Sequence, residues 1–539
     1  ETVVITNNWT SLIGADSATT IIDPAGDSTA TTLYGIYANG LANLRIANLR
    51  IFDCYYGIYF NNSDTSVIEN IKIEYCGKNG GAGAGIYLAS GSCSNTISNC
   101  YVFKNYYGIY LNNSPYNILS GNSVISNPFY GIYAYNGSSF NYFSNNRSDS
   151  NNTGIYTYQN SDTNTFVSNS VNYTQGHGIR LDSNNGCNVL TNNISNYNNN
   201  HGISVNGSNN IASNNTANYN TWAGFNFSAS SNNIFETNTA SNNLQNGFQF
   251  SNASNNIFKS NVSKSNSQTG FYLSNNSNNN YFTGNLIIGN NEKGFYLDNV
   301  SSNYFTQNDI KNNTNYQIYL TNSSSGDTFT KNNIQTSITN PNYSVYNNVN
   351  NTFDFRYNYW NTPDSASISA KISVISGSVL WSPFRTAEID TAASADTVAP
   401  AAPGFIDADT SVLKKVTLRW TKPAADEDGT GLTGLTGYRI YRASAAQVRA
   451  NGDTDNWEAF LIHTTENTQD TEYVDSGYTS TGIYYYRIVA FDSHQIPVAG
   501  GYRFENRTWY SASFMVYALY NTKPETPILL TPVNLPAPY

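Results

Sequence analysis

Two histidines offer the first chemistry: His177 and His201 each stand directly before a glycine, 24 residues apart. Imidazoles at one position of adjacent structural repeats could share a copper or zinc ion. Thr153 and Ala223 hold the flanking equivalent positions, and no third His or Cys falls in phase. The pair is therefore expected to be solvent-exposed rather than metal-bound. Carboxylates are scattered in the same way. Asp182 and Asp298 share a repeat position five repeats apart, and Asp53 and Glu74 lie near two cysteines. Glycoside hydrolysis needs two carboxyl groups facing one bond, and no such pair is evident. The expectation is that the chain is not an enzyme, has no catalytic residues and takes no cofactor.

These residues are positioned by a repeat. A Gly-apolar-Tyr triplet recurs at Gly35, Gly57, Gly85, Gly108, Gly131 and Gly154, and with drift at Gly178, Gly202, Gly224, Gly247, Gly270 and Gly294. It ends as Gln317-Ile318-Tyr319, and successive units lie 22 to 24 residues apart except for one of 28. A fixed period of this length marks a solenoid. Asn recurs nine residues before the Gly, as at Asn48, Asn99, Asn122, Asn169, Asn193, Asn215, Asn238, Asn261, Asn285 and Asn308, with Asn70, Asn146 and Asn332 slightly shifted. Such Asn would form an internal column, each amide bonded to its copies on neighbouring rungs. The intervening Asn, Ser, Thr and Gly favour short strands and tight turns over helices. Strands alone at this period coil into a parallel β-helix, one unit per rung, with rungs about 4.8 Å apart.

Alternation assigns faces. Ile36, Ile58, Ile86, Ile109, Ile132 and Ile155, then Phe225, Phe248, Phe271 and Phe295, point inward. Tyr37, Tyr59, Tyr87, Tyr110, Tyr133, Tyr156, Tyr272, Tyr296 and Tyr319 point outward as a stripe, interrupted by Arg180, Ser204, Asn226 and Gln249. That stripe is a candidate contact face, for copies of the chain or for saccharides. Cys54 and Cys76 sit at one phase of adjacent rungs, which brings their Cα atoms to about 4.8 Å, within disulfide range. A bond between them is expected, and with it an oxidising compartment. Cys93, Cys100 and Cys187 have no in-phase partner and read as small core residues. Candidate N-glycosylation acceptors Asn61, Asn112, Asn136, Asn206, Asn252, Asn275, Asn299 and Asn322 fall together in one turn.

Composition removes other classes. With 26 Lys+Arg against 36 Asp+Glu, a net charge of −10 and only 12% charged residues, the chain is a poor ligand for nucleic acid. No apolar run is long enough to span a membrane. Starting at Glu1, with no signal segment, the chain reads as processed and exported, or trimmed.

Units such as Gly108-Ile-Tyr-Leu-Asn-Asn-Ser114 and Asn117-Ile-Leu-Ser-Gly-Asn122 resemble the right-handed β-helix repeats of the periplasmic copper-binding (NosD-like) and carbohydrate-binding/sugar-hydrolase group. Asn358-Tyr-Trp-Asn361 and Ile375-Ser-Gly-Ser-Val-Leu-Trp-Ser-Pro383 look like its closing rung. After residue 396 Asn nearly vanishes. Val416-Thr-Leu-Arg-Trp420, Gly437-Tyr-Arg-Ile-Tyr-Arg442 and Tyr484-Tyr-Tyr-Arg-Ile-Val-Ala-Phe-Asp492 resemble a fibronectin type III domain, with Trp420 in its core and Tyr484 at its tyrosine corner. The expected architecture is all-β: a right-handed parallel β-helix of about fourteen rungs over 1–390, a fibronectin type III-like β-sandwich over 397–521, and a Pro-rich extended tail or linker over 522–539. Such a rod suggests an extracellular structural glycoprotein of the cell surface, self-assembling into a surface layer (S-layer), sheath or filament. The alternative is a surface carbohydrate-binding or polysaccharide-cleaving protein, so the expected partners are copies of itself and cell-surface glycans.

Overall fold

The computed structural model describes residues 2–24, 33–77, 83–182, 186–335 and 343–385, and a discontinuous set between 400 and 518. The chain divides into two compact units, Glu1–Ala392 and Ala393–Tyr539. The first is a β-solenoid of about fourteen turns. Each turn contributes a strand to a long sheet, as in Tyr107–Asn112 and Tyr130–Tyr135, and one to a second sheet, as in Ile118–Ser120 and Tyr142–Ser144. A third face carries short strands such as Tyr101–Phe103, joined mid-rod by single bridges such as Ser170↔Ile194. Neighbouring turns pair in parallel and in register, with Ile109↔Ile132 and Tyr110↔Tyr133.

The core follows the alternation. The long sheet's inward column runs through Ile132, Ile155, Ile179 and Ile203 to Phe225, Phe248 and Phe271, all buried. Phe225 and Phe248 stack at 4.9 Å with planes 5° apart. The repeat Gly is required because its Cβ would collide with the next rung: at Gly108 it would lie 2.3 Å from the Gly131 carbonyl oxygen. The closing turn buries Trp360, and the short helix Ser365–Ala370, capped by Asp364, adds Ile368 to the core.

Three ladders of buried amides run along the corners, where one was expected. The first runs from Asn95 to Asn303 and ends on Asp327. The second begins at Cys100 and runs from Asn122 to Asn358. The third begins at Asn105, is interrupted by Thr174 and ends at Asn313, sealed by the Gln317 side chain. At Asn215 the backbone N–H and Nδ2 both donate to Asn238 Oδ1 at 2.9 Å, and Nδ2 also donates to the Leu190 carbonyl at 2.9 Å. The Asn-bearing rungs thus satisfy corner backbone that would otherwise be buried unpaired.

The expected column needs correcting at its start. Asn48, half-buried, and Asn70 and Asn99, exposed, are turn residues at φ of 57°, 55° and 53°. The buried column position is one residue later, at Leu49, Ile71 and Cys100. A constant count back to the repeat Gly missed this because turn length changes between rungs.

In the second unit, antiparallel strands Gly404–Asp409, Val416–Thr421 and Glu472–Asp475 form one sheet. Leu435–Ser444 pairs with Leu461–Thr465 and Gly482–Asp492 in another. Trp420, Tyr438 and Tyr486 are buried between them, consistent with a β-sandwich. Tyr484 donates its hydroxyl to the Ser480 carbonyl at 3.1 Å. The Pro-rich segment 522–539 lies outside the described residues.

Candidate functional site

The outer face of the long sheet is built from three neighbouring columns. Its central column keeps the expected register, Tyr37↔Tyr59↔Tyr87↔Tyr110↔Tyr133↔Tyr156, and resumes at Tyr272↔Tyr296↔Tyr319, extended by Tyr346. These rings mostly stack on one another: Tyr87–Tyr110 at 4.7 Å, Tyr110–Tyr133 at 4.9 Å, Tyr319–Tyr346 at 4.9 Å. Stacking uses up ring faces and leaves edges and hydroxyls outward. Tyr133 and Tyr156 are buried, at 7% and 6% exposure, because Tyr130, Tyr135 and Tyr158 pack over them. Those two rings are therefore not an open contact face. Burial pushes the Tyr110 and Tyr133 phenols well above their ordinary range, with neighbouring phenols adding to it, so these two are uncharged at neutral pH.

At the interruption, four rungs carry Arg180, Ser204, Asn226 and Gln249 in that column. Arg180 bridges two rungs: its guanidinium lies 5.1 Å from the Tyr156 ring centre and is ion-paired with Asp182. Tyr156 donates its hydroxyl to Asp182 Oδ2 at 3.3 Å. Beside them, His177 and His201 stack at 5.5 Å, and the Trp222 edge meets His201 at 5.2 Å. Beyond Arg180 the face becomes small and polar, where Asn226 Nδ2 donates to Ser204 Oγ at 3.2 Å.

The expectation of a solvent-exposed histidine pair is corrected. His201 is 4% exposed and His177 half-buried, because they line the sheet edge under Trp222 and against Arg180. Burial, helped by the Arg180 charge, pulls His177 down to about 4. Burial and His177 pull His201 down to about 3. Both imidazoles are neutral at neutral pH. His201 Nδ1 accepts the Ala223 backbone N–H at 3.1 Å, leaving its proton on Nε2, while His177 Nδ1 is buried without a protein partner. Among the described residues no group of three or more His, Cys, Asp or Glu is gathered to hold a metal.

The other singled-out residues lie elsewhere. Cys54 and Cys76 are buried thiols with sulfurs 3.0 Å apart. They occupy the corner that Asn105 continues, since the Cys76 N–H donates to Asn105 Oδ1. Cys100 is buried, whereas Cys93 and Cys187 are only half-buried. Asp53 and Glu74 make no acid pair: Glu74 is buried between Arg50 at 2.8 Å and Lys72 at 3.1 Å. Of the glycosylation candidates, Asn136, Asn252, Asn275 and Asn322 are exposed, and Asn61, Asn112, Asn206 and Asn299 half-buried.

This architecture defines a right-handed β-helix protein. The sequence matches the right-handed β-helix region family over residues 2–148 and 153–310, and the chain belongs to that family. No curated protein matches it. Similar solved structures include the periplasmic alginate epimerase AlgG in a double-mutant form, 16% identical over 51% of this chain and 77% of that one, TM-score 0.44. A DFA-IIIase from Arthrobacter chlorophenolicus in complex with DFA-III is 13% identical over 53% and 73%, TM-score 0.28. The Dettilon tailspike protein is 12% identical over 88% and 87%, TM-score 0.37. At these identities the likeness is one of fold. Against the expectation that the chain is not an enzyme, these similar structures include an alginate epimerase and a DFA-IIIase. No helix among the described residues is long and apolar enough to cross a membrane, which says nothing of a β-barrel.

Proposed function

We propose that this protein is a surface polysaccharide-acting β-helix, which binds an extended glycan across the long sheet's outer face and processes it at the interruption of the Tyr stripe. The carrying observation is coincidence of place. The stripe breaks on the rungs where His177, Arg180, Asp182, His201 and Tyr156 meet. Flanking phenol hydroxyls and the Asn226 and Gln249 side chains supply neutral hydrogen-bonding groups for sugar hydroxyls. His177, neutral and half-buried at the sheet face, is the imidazole of this group suited to take a proton. Arg180 is the cation placed to stabilise developing negative charge.

Self-assembly into a layer, sheath or filament has less support, because the Tyr rings meet one another within the chain. The second unit fits a fibronectin type III-like spacer, on its buried Trp420 and the Tyr484–Ser480 corner bond. The test is a polysaccharide panel with mass-spectrometric detection of new products, comparing wild type with His177→Gln and Arg180→Ala. Products from wild type that disappear in the variants while glycan binding persists support the proposal. Absence of both binding and products across the panel refutes it.

A further inference from the structure

A second aromatic row lies in the turn that leads back to the long sheet, on the same rungs as the histidines. Tyr173, Tyr197 and Tyr219 occupy one turn position on consecutive rungs and are 59%, 46% and 48% exposed. Their rings stack nearly parallel, at 5.2 Å and 9°, then 4.9 Å and 4°. All three have left-handed backbone, at φ of 57°, 58° and 57°. That conformation is costly for a bulky residue. Elsewhere the position holds Asp53, Tyr75, Lys104, Ser126, Ser150, Asn242, Ser265, Gly289 and Asn312, all at φ between 53° and 63°, so only here do three successive rungs carry an aromatic residue. The turn sets the left-handed backbone on every rung, so what distinguishes these three rungs is the exposed aromatic stack itself.

The surroundings indicate the ligand. Short Ser150 and Asn242 stand beyond the two ends of the stack, so one face of Tyr173 and one of Tyr219 are open. Trp222, 44% exposed, follows Tyr219 by three residues and meets His201, linking the row to the interruption in the sheet. Segments 170–176, 192–200 and 214–222 contain no Asp, Glu, Lys or Arg, and exposed Gln175, Asn199 and Thr221 flank the rings. Open ring faces beside uncharged amides and hydroxyls match the apolar face and the hydroxyl groups of a neutral sugar. They offer no cation to a carboxylate.

We infer that Tyr173, Tyr197, Tyr219 and Trp222 form an aromatic binding edge for a neutral saccharide chain, which continues through Trp222 to the interruption of the Tyr stripe. This rests on the polysaccharide reading and adds that the glycan crosses the edge of the rod and is uncharged where it does so.

The solenoid supplies its own controls. Tyr173→Ser/Tyr197→Ser/Tyr219→Ser copies the residue type of other rungs, and Trp222→Gln copies Gln245 and Gln268 at the equivalent position. Affinity electrophoresis of the full chain through gels holding starch, β-glucan, galactomannan or xylan, with alginate as the acidic probe, reads binding. Thermal melting reads structure. The expected result is wild-type retardation by a neutral glycan, weakened at least tenfold in both variants, with an unchanged or higher melting midpoint. Wild-type binding retained by the variants overturns the inference while leaving the sheet-face proposal to the Arg180→Ala arm. A lowered midpoint with unchanged binding makes the row a structural staple and also overturns it. Retardation by alginate alone, or by no glycan, refutes the neutral-saccharide assignment.

Discussion

Asp327 stands where ten rungs carry a buried Asn or start that ladder, and the one-atom difference has a pH consequence. Asn303 donates its N–H and Nδ2 to Asp327 Oδ1, both at 2.9 Å, while Oδ2 is buried without a partner. Burial pushes this carboxyl up to about 7, against the two Asn303 hydrogen bonds. A carboxyl raised in the folded state stabilises it below the unfolded pKa, near 4. That contribution is lost as pH rises through about 7. Asp327→Asn should therefore raise the melting midpoint at pH 8, by on the order of 1–3 kcal/mol of stability, and change little at pH 4; parallel melts at the two pH values check this. His177 and His201 act in the opposite sense. Held neutral, they favour the fold above the unfolded pKa near 6.5, and acidification toward their folded values of about 4 and 3 works against it. Product formation dependent on neutral His177 should fall with an apparent pKa near 4, measured from a rate–pH profile. Cys54 and Cys76 are already adjacent, so exposure to a disulfide oxidant should join them with loss of two hydrogens. Intact-mass and peptide mapping would show a single 54–76 link, and Cys54→Ser should abolish it.

Among elements, the amide ladders hold the corners as the Ile and Phe columns hold the interior. Asn215→Ala would strip acceptors from the N–H and Nδ2 of Asn193 and the donor from the Leu190 carbonyl. Leaving such groups buried and unpaired costs about 1–3 kcal/mol each, so the variant should melt well below wild type. Asn48→Gly is the contrasting case: a half-buried turn residue at φ 57°, where Gly has no Cβ penalty. Its midpoint should stay within a degree or two, confirming that the column position is Leu49. Phe258, stacked between Phe235 and Phe282 at 5.3 and 5.2 Å, should cost about 3–5 kcal/mol when cut to Ala. Legibility differed by column. The Phe and Tyr stacks could be read from spacing because strands repeat without slippage. The Asn95 and Asn105 ladders escaped notice because their Asn sit among other Asn, and only burial separates a ladder member from a turn residue.

At the scale of the whole molecule, every group in the proposed glycan surface belongs to the unit Glu1–Ala392. A separately produced 1–392 fragment should bind and process glycan as the full chain does, in the same affinity gels and product assays. What the sequence alone determined was periodic: a parallel solenoid, its inward Ile and Phe, its outward Tyr, and the break in the stripe where the histidines fall. In-register stacking turns equal spacing into adjacency, so these follow from counting. Only the tertiary structure decided which of two neighbouring Asn enters a corner, that Tyr133 and Tyr156 are covered, that His177 and His201 are buried, and that Tyr173, Tyr197 and Tyr219 line up in left-handed turns. Those outcomes depend on turn conformation and on packing between columns. Neither is periodic along the chain, because a single residue gained or lost in a turn resets the side chains that follow.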